Sequence, residues 1–201
     1  MFASERVRLR PMVPDDATVL YEMWSDPDHH MLTDDSPMLI ESLAARRARL
    51  ERSLAEPDAR TARFTAETIA DGTVIGTCSL WGLDAFNQFG HIGISLLPAA
   101  RTQGSGREMI ELLCHYGFRF RNLHRIELET LATNAAMRKL AESCGFVLEG
   151  IQREQAYDGD GFSDIVLYGL LRQEWRRWNR VVLVLGWSNF INGLVEYCRH
   201  I

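Results

Sequence analysis

Two groups of residues have the types and spacing to do chemistry. In residues 124–131 (HRIELETL), a strand would place Arg125, Glu127 and Glu129 on one face and Ile126, Leu128 and Thr130 on the other. Carboxylates so placed serve as general bases, or they pair with Arg125 and merely hold the sheet together. His91 is a third titratable candidate. It shares a strand face with Gly93 and Ser95, and is equally readable as a surface or satisfied histidine. The second group is Arg101-Thr102-Gln103-Gly104-Ser105-Gly106, a glycine-rich turn between a β-rich run and an amphipathic helix. Glycines let a ligand approach the backbone, and the first amides of a helix have no intrahelical partners. Residues 102–107 therefore form a candidate phosphate or pyrophosphate cradle that Arg101 and Arg107 can supplement. A triphosphate loop would need a Gly-Lys-Ser/Thr ending, but Arg107 and Glu108 follow Gly106. A dinucleotide fingerprint would need a third glycine at 109, where Met109 stands.

These groups need elements to hold them. Residues 7–9 alternate as a short strand, and Pro14, Asp15 and Asp16 open a helix carrying Leu20, Met23 and Trp24. A second helix is expected over residues 40–54, its arginines read as a solvated face rather than a binding one. Residues 64–70 and 73–80 flank Asp71-Gly72 as a hairpin. A strand over 89–97 ends at Pro98, and Met109, Leu112, Leu113, Tyr116 and Phe120 keep helical spacing after the glycines. Strand 124–131, a helix over 134–144 closed by Gly145, and a strand over 165–171 complete an α+β, mixed α/β order.

With 201 residues, the chain is sized for one core, taken as residues 1–178. A net charge of −5 argues against coating a polyanion, so nucleic acid is not an expected partner. The longest apolar run, residues 181–187, is far too short to span a membrane. The N-terminus has no secretory pattern. The four cysteines, at 78, 114, 144 and 198, share no metal-ligand spacing and sit in apolar surroundings. A reducing cytoplasm and no metal are expected.

The turn at 101–106, following a strand that ends Leu-Leu-Pro, resembles the R/Q-x-x-G-x-G/A motif of GNAT N-acetyltransferases. Residues 134–146 (NAAMRKLAESCGF) resemble that family's Asn-helix-Gly-Phe segment. Residues 6–11 (RVRLRP), 14–17 (PDDA), 148–150 (LEG) and 164–175 (DIVLYGLLRQEW) are similar to the RimJ/RimL-like subgroup, so the likeness spans about residues 5 to 175. It implies a mostly antiparallel sheet flanked by helices. The strands at 89–97 and 124–131 would lie parallel and splay around the pantetheine arm of acetyl-CoA, the expected co-substrate.

By the same resemblance, backbone groups near Leu96 contact the pantetheine, the amides of Thr102 to Arg107 hold the pyrophosphate, and Asn134 touches the pantetheine arm. Asparagine is also a favoured N-cap, which alone would account for Asn134. The implied reaction is direct attack by a primary amine, either a protein N-terminus or a small molecule, on the thioester. Glu129 ranks first as base, by its placement five residues before Asn134; Glu127 comes second and His91 third. A main-chain N–H near Leu96 or Leu97 would face the thioester oxygen.

The chain departs from the family at Ala141, where many members carry tyrosine, and at Met137, where RimJ/RimL-like members often carry serine. Ser143, Tyr157 and Tyr168 remain as hydroxyls for the departing thiolate, with none selected. A non-catalytic acyl-CoA-binding sensor is the alternative of another class. Asp26, Asp28, Asp34, Asp35, Asp158, Asp160 and Asp164 could favour cationic acceptors, though loop duty explains most of them. The segment 179–201 is expected to pack on the fold or against a second copy in a homodimer.

Overall fold

The computed structural model describes residues 2–34 and 36–175. The extension at 179–201, together with Asp35 and Cys198, lies outside the described residues. In chain order the elements are β1 (Phe2–Ala3), β2 (Val7–Pro11), α1 (Asp16–Ser25), α2 (Pro27–Thr33), α3 (Leu43–Ala55), β3 (Ala62–Thr68), β4 (Val74–Asp84) and β5 (Phe89–Leu96). They continue with α4 (Ser105–His115), β6 (Arg125–Leu131), α5 (Ala135–Ser143), β7 (Val147–Tyr157) and β8 (Phe162–Leu171). The strands form one sheet in the order β1-β2-β3-β4-β5-β6-β8-β7. Every neighbouring pair is antiparallel except β5–β6.

The Asp71-Gly72 hairpin forms as expected: Gly72 takes φ +75°, and the Thr68 N–H donates to Thr73 O at 2.9 Å. Cross-strand partners share a face. The register therefore puts Leu9, Ala66, Cys78 and Leu80 on the face covered by α4, whose Met109, Ile110 and Leu113 are fully buried. Burying each of these three contributes on the order of 1.5–3 kcal/mol. Cys78, Cys114 and Cys144 are buried free thiols. Burial pushes their thiols up, Cys144 to about 11, so they are unreactive parts of the core.

The other face is polar where α1 crosses it. Arg10 donates to Asp16 at 2.9 and 2.6 Å and to Glu67 at 2.8 Å, while Thr65 Oγ1 donates to Asp16 at 2.6 Å. Burial pushes the Asp16 and Glu67 carboxyls up. Hydrogen bonds from Arg10 and from Thr65 or Arg8 outweigh that and hold both below their ordinary values. This cluster fixes α1 over the sheet. Met12, Leu20 and Met23 then pack with Trp24, Leu50 and Leu54, which brings α3 alongside.

Four expectations change. The second helix starts at Leu43, not residue 40, because the Ser42 side chain caps it by accepting from the Ala45 N–H. A short helix, α2, lies where none was expected, capped by Asp26 with Pro27 in its first turn. The strand expected over 73–80 runs on to Asp84. An extra strand, β7, separates α5 from β8; as the sheet edge it is exposed over most of its length and lacks a one-sided apolar pattern. Among the described residues no helix is long and apolar enough to cross a membrane.

Candidate active site

The site begins where the only parallel pair in the described sheet comes apart. β5 and β6 pair at Phe89–Arg125, Gly90–Ile126 and His91–Glu127, and no further. Beyond that point the strands diverge. The Leu97 N–H is spent on Ile75 O at 2.9 Å. Alternation along an antiparallel strand then turns the Leu96 and Ile94 N–H groups away from β4, toward the gap. Of the two residues expected to present an amide there, Leu96 keeps that geometry and Leu97 does not.

A cleft of about 470 Å³ opens at this gap. Its floor is the polar sheet face, with Thr77, Ser79 and Trp81 from β4 and Gly93 and Ser95 from β5. Glu129 and Thr130 from β6, with Asn134 and Met137 at the start of α5, form the far side. Trp24, Leu32, Thr33, Asp34, Arg46, Arg49, Leu50 and Ser53 from the α1–α3 layer, with Arg63, wall it opposite. Sequence reasoning missed the floor hydroxyls Thr77, Ser79 and Ser95, because β4 and β5 become neighbours only through pairing register.

The three candidate bases separate. Glu129 is exposed and lines the cleft; no hydrogen bond or ion pair ties its carboxylate among the described residues. Glu127 accepts from Arg125 Nε at 2.6 Å and lies 3.5 Å from His91 Nδ1. Arg125 also holds Glu149, so Glu127 belongs to an ion-pair network spanning β6 and β7. His91 stacks on Trp81, with ring centroids 4.5 Å apart. Both Glu127 and His91 line a separate pocket of about 80 Å³, which shares Glu129 with the main cleft.

The turn after β5 has the expected shape. Gly104 takes φ +84° as the N-cap of α4, and Thr102 takes φ +64°. No main-chain N–H from Thr102 to Gly106 donates to a protein acceptor among the described residues. That leaves a row of unpaired amides at a helix N-terminus, fitted to a diphosphate. The two glycines differ. A Cβ on Gly104 would meet the Arg6 guanidinium at 2.8 Å, whereas one on Gly106 would meet Leu140, Leu96 and Ile94 at 3.1–3.4 Å. Gly106 thus permits close packing of α4 against β5 and α5.

The Arg101 and Arg107 side chains have protein partners beside the cradle, and the Arg107 N–H, expected to join it, donates to Gly104 O at 3.1 Å. Arg101 Nε donates to Leu96 O at 3.2 Å, and Arg107 pairs with Glu111 at 2.8 Å. Arg6 lies against the turn instead: its Nη1 donates to Gln103 O at 3.0 Å and its Nε to Glu108 at 2.6 Å. Burial pushes the Glu108 carboxyl up, and hydrogen bonds from Ser4 and Arg6 hold it below its ordinary value. Gln103 Nε2 donates to Ala99 O at 2.7 Å, which ties the turn to the 3₁₀ segment Pro98–Ala100.

Asn134 does the capping expected of it, its Oδ1 accepting from the Met137 N–H at 3.1 Å. Its Nδ2 has no protein partner among the described residues, and the residue lines the cleft. Of the hydroxyls considered for the departing thiolate, Tyr168 is buried on Glu142 and lines the small pocket that shares Glu129, Tyr157 bonds Gly159 O, and Ser143 bonds Leu140 O. None lines the main cleft. Among the acidic loop residues, Asp34 alone of those described reaches the cleft wall. Asp26 caps α2, and Asp158 and Asp164 accept hydrogen bonds at the β7–β8 hairpin.

A splayed parallel pair, an open glycine turn after it and a cleft at its mouth are the arrangement that the resemblance to GNAT N-acetyltransferases implies. Residues 6–147 match the model of the acetyltransferase (GNAT) domain, and the chain belongs to that family. It is 30% identical over 172 residues to the uncharacterized N-acetyltransferase p20 of Bacillus licheniformis, covering 86% of this chain and 96% of that one. It is 30% identical over 110 residues to the putative ribosomal N-acetyltransferase YdaF of Bacillus subtilis, 55% of this chain and 60% of that one. The crystal structure of spermidine N-acetyltransferase from Vibrio cholerae with CoA and spermine superposes with a TM-score of 0.77 at 22% identity, covering 86% of this chain and 99% of that one. The chain is an acetyl-CoA-dependent N-acetyltransferase with the mixed α+β GNAT fold.

Proposed function

We propose that this enzyme acetylates a primary amine by direct attack on the thioester, with Glu129 taking the amine proton. The observation that carries this is the unpaired Glu129 carboxylate on the cleft wall, at the mouth of the β5–β6 gap. An amine must be neutral to attack, and Glu129 accepts its proton directly or through one water. The Leu96 N–H, turned into the gap, is placed to hydrogen-bond the thioester oxygen as charge develops there. The unpaired amides of Thr102 to Gly106 hold the diphosphate, and Asn134 Nδ2 donates to the pantetheine arm. Glu127 and His91 orient the strand around Glu129 through Arg125 and Trp81.

We place the chain in the RimJ/RimL-like branch, on its opening and closing motifs. We read residues 1–178 as one catalytic unit in the cytoplasm, and the extension at 179–201 as a candidate homodimer contact. Neither nucleic acid nor membrane belongs to this reading. The relatives point to two acceptor classes, a ribosomal protein amine and a polyamine.

Glu129→Gln should lower kcat by about 100-fold or more, the low end of general-base contributions. Its acetyl-CoA affinity by calorimetry should stay within about twofold. A kcat near that of the unsubstituted enzyme from pH 6 to 9 would remove Glu129 from the reaction.

A further inference from the structure

Part of the arginine face of α3, which the sequence suggests is solvated, lines the cleft. Arg46, Arg49, Leu50 and Ser53 fall at i, i+3, i+4 and i+7, one stripe of the helix, and all four line the cleft. Arg47 turns outward to pair with Asp15. Arg46 lies over the Trp24 ring at 5.0 Å; its buried Nε sits 3.0 Å from Glu41 but off line, so it makes no hydrogen bond. Arg49 donates to the same Glu41 oxygen at 2.6 Å. One carboxylate is therefore shared by two guanidiniums, each with five N–H donors. Across from them, Arg63 donates from Nη1 to the neutral Ser53 hydroxyl at 2.5 Å and has no acidic partner among the described residues.

The acids that line the cleft form no ion pair with these arginines among the described residues. Asp34 accepts from the Ser36 N–H at 2.9 Å and its hydroxyl at 2.5 Å, and Glu129 stands across the cleft at the β5–β6 gap. The cleft thus has an anionic end, where an ammonium is to lose its proton, and a wall of arginine N–H groups with spare donors. We infer that the acceptor is an amine carrying a carboxylate on the part directed away from the reacting nitrogen, as in an amino acid or an acidic peptide, with Arg49 and Arg63 as its specificity determinants. Arginine matches a carboxylate with two parallel N–H donors, and Arg49 already donates one N–H to a carboxylate, that of Glu41. A polyamine would instead set its further ammonium groups against guanidiniums.

The inference rests on the transferase reading above. Its test is thiol release from acetyl-CoA with three acceptors: alanyl-glutamate, alanyl-glutamine amide, which has no carboxylate, and spermidine. Alanyl-glutamate should have a kcat/KM at least about tenfold above the amide, the low end for hydrogen bonds to a charged group, with spermidine the poorest. Arg63→Gln and Arg49→Gln should each bring the two peptides' KM values toward equality, and Arg63→Lys should restore part of the preference. Spermidine or the amide matching alanyl-glutamate would overturn the inference, as would arginine variants that leave the preference intact. If no amine releases thiol, the transferase reading fails. Calorimetric binding of the two peptides to the acetyl-CoA complex then decides this inference alone: tighter alanyl-glutamate, weakened by Arg63→Gln, supports it, and equal binding refutes it.

Discussion

Replacing Gly106 with alanine separates packing from ligand approach. The added Cβ would stand 3.1 Å from Leu140 Cδ2, 3.3 Å from Leu96 Cδ1 and 3.4 Å from Ile94 Cδ1. Carbon pairs relax at about 3.5–4.0 Å, so α4, β5 and α5 must part by about half an ångström or rotate three core side chains. Overpacking of this kind costs about 1–3 kcal/mol, and branched chain ends that can turn put it near the lower figure. Alanine returns up to about 0.5–1 kcal/mol in helix propensity, less in a first turn. The net expectation is a loss of about 0.5 kcal/mol, or about 0.25 M in the urea midpoint for a slope near 2 kcal/mol/M. Acetyl-CoA affinity, titrated calorimetrically at 25 °C, should fall by less than about threefold, since the unpaired amides keep their places. An unchanged urea midpoint together with a tenfold loss of affinity would refute the packing argument.

The converse holds at Gly104, where φ +84° and the Arg6 guanidinium at 2.8 Å oppose any side chain. Gly104→Val should abolish acetyl-CoA binding, and calorimetry showing retained affinity would remove this turn from the cradle. Asn134→Ala should cost about 0.5–2 kcal/mol through loss of the α5 cap and also raise the KM for acetyl-CoA. Asn134→Ser should recover the stability without the KM, so recovery of both would leave capping as the whole role of the residue. Acidification should weaken the fold in two steps, followed by urea midpoints at pH 7.5, 5 and 3. Burial, and then the charges of Arg101 and Arg119 respectively, hold the His29 and His115 pKa values below the usual one. Their stabilisation is present above about 6.5, the value in the unfolded chain, and fades as pH falls through the lower folded values. Asp16, Glu67 and Glu108 follow below about 4, because their folded pKa values are also depressed. A midpoint that rises between pH 7.5 and 5 would contradict the histidine assignment.

What the sequence made legible was whatever depended on short-range chemistry. Asp71-Gly72 permits a tight turn, Asn134 and Gly145 bracket α5, and Ile126, Leu128 and Thr130 alternate against a buried face, so these elements lie where expected. β7 escaped because Leu148 and Ile151 are exposed at the sheet edge and two irregularities in its pairing with β8 break the alternation. α2 escaped because seven residues hold too little periodicity to read. Within the site, Glu127 and Glu129 are indistinguishable by strand phase, and only the reach of Arg125 and Glu149 separates a paired carboxylate from an open one. The fit of Arg6 against Gly104 left no local signal, since the two residues meet only through tertiary packing. The direction of Arg46 and Arg49 depended on α1 being pinned by Arg10 and Asp16, a long-range consequence that helical spacing cannot reveal.

α3 supplies much of the cleft wall yet has no fully buried residue, touching the smaller core only through Leu50 and Leu54. Its inward stripe is therefore thermodynamically cheap to rewrite: exchanging arginines there for acids or apolar residues would alter which amines are accepted while the sheet, the turn and Glu129 stay as they are. Selectivity and folding are carried by different parts of the chain, so new acceptor preferences can arise by drift along one helix without first passing through an unstable ancestor.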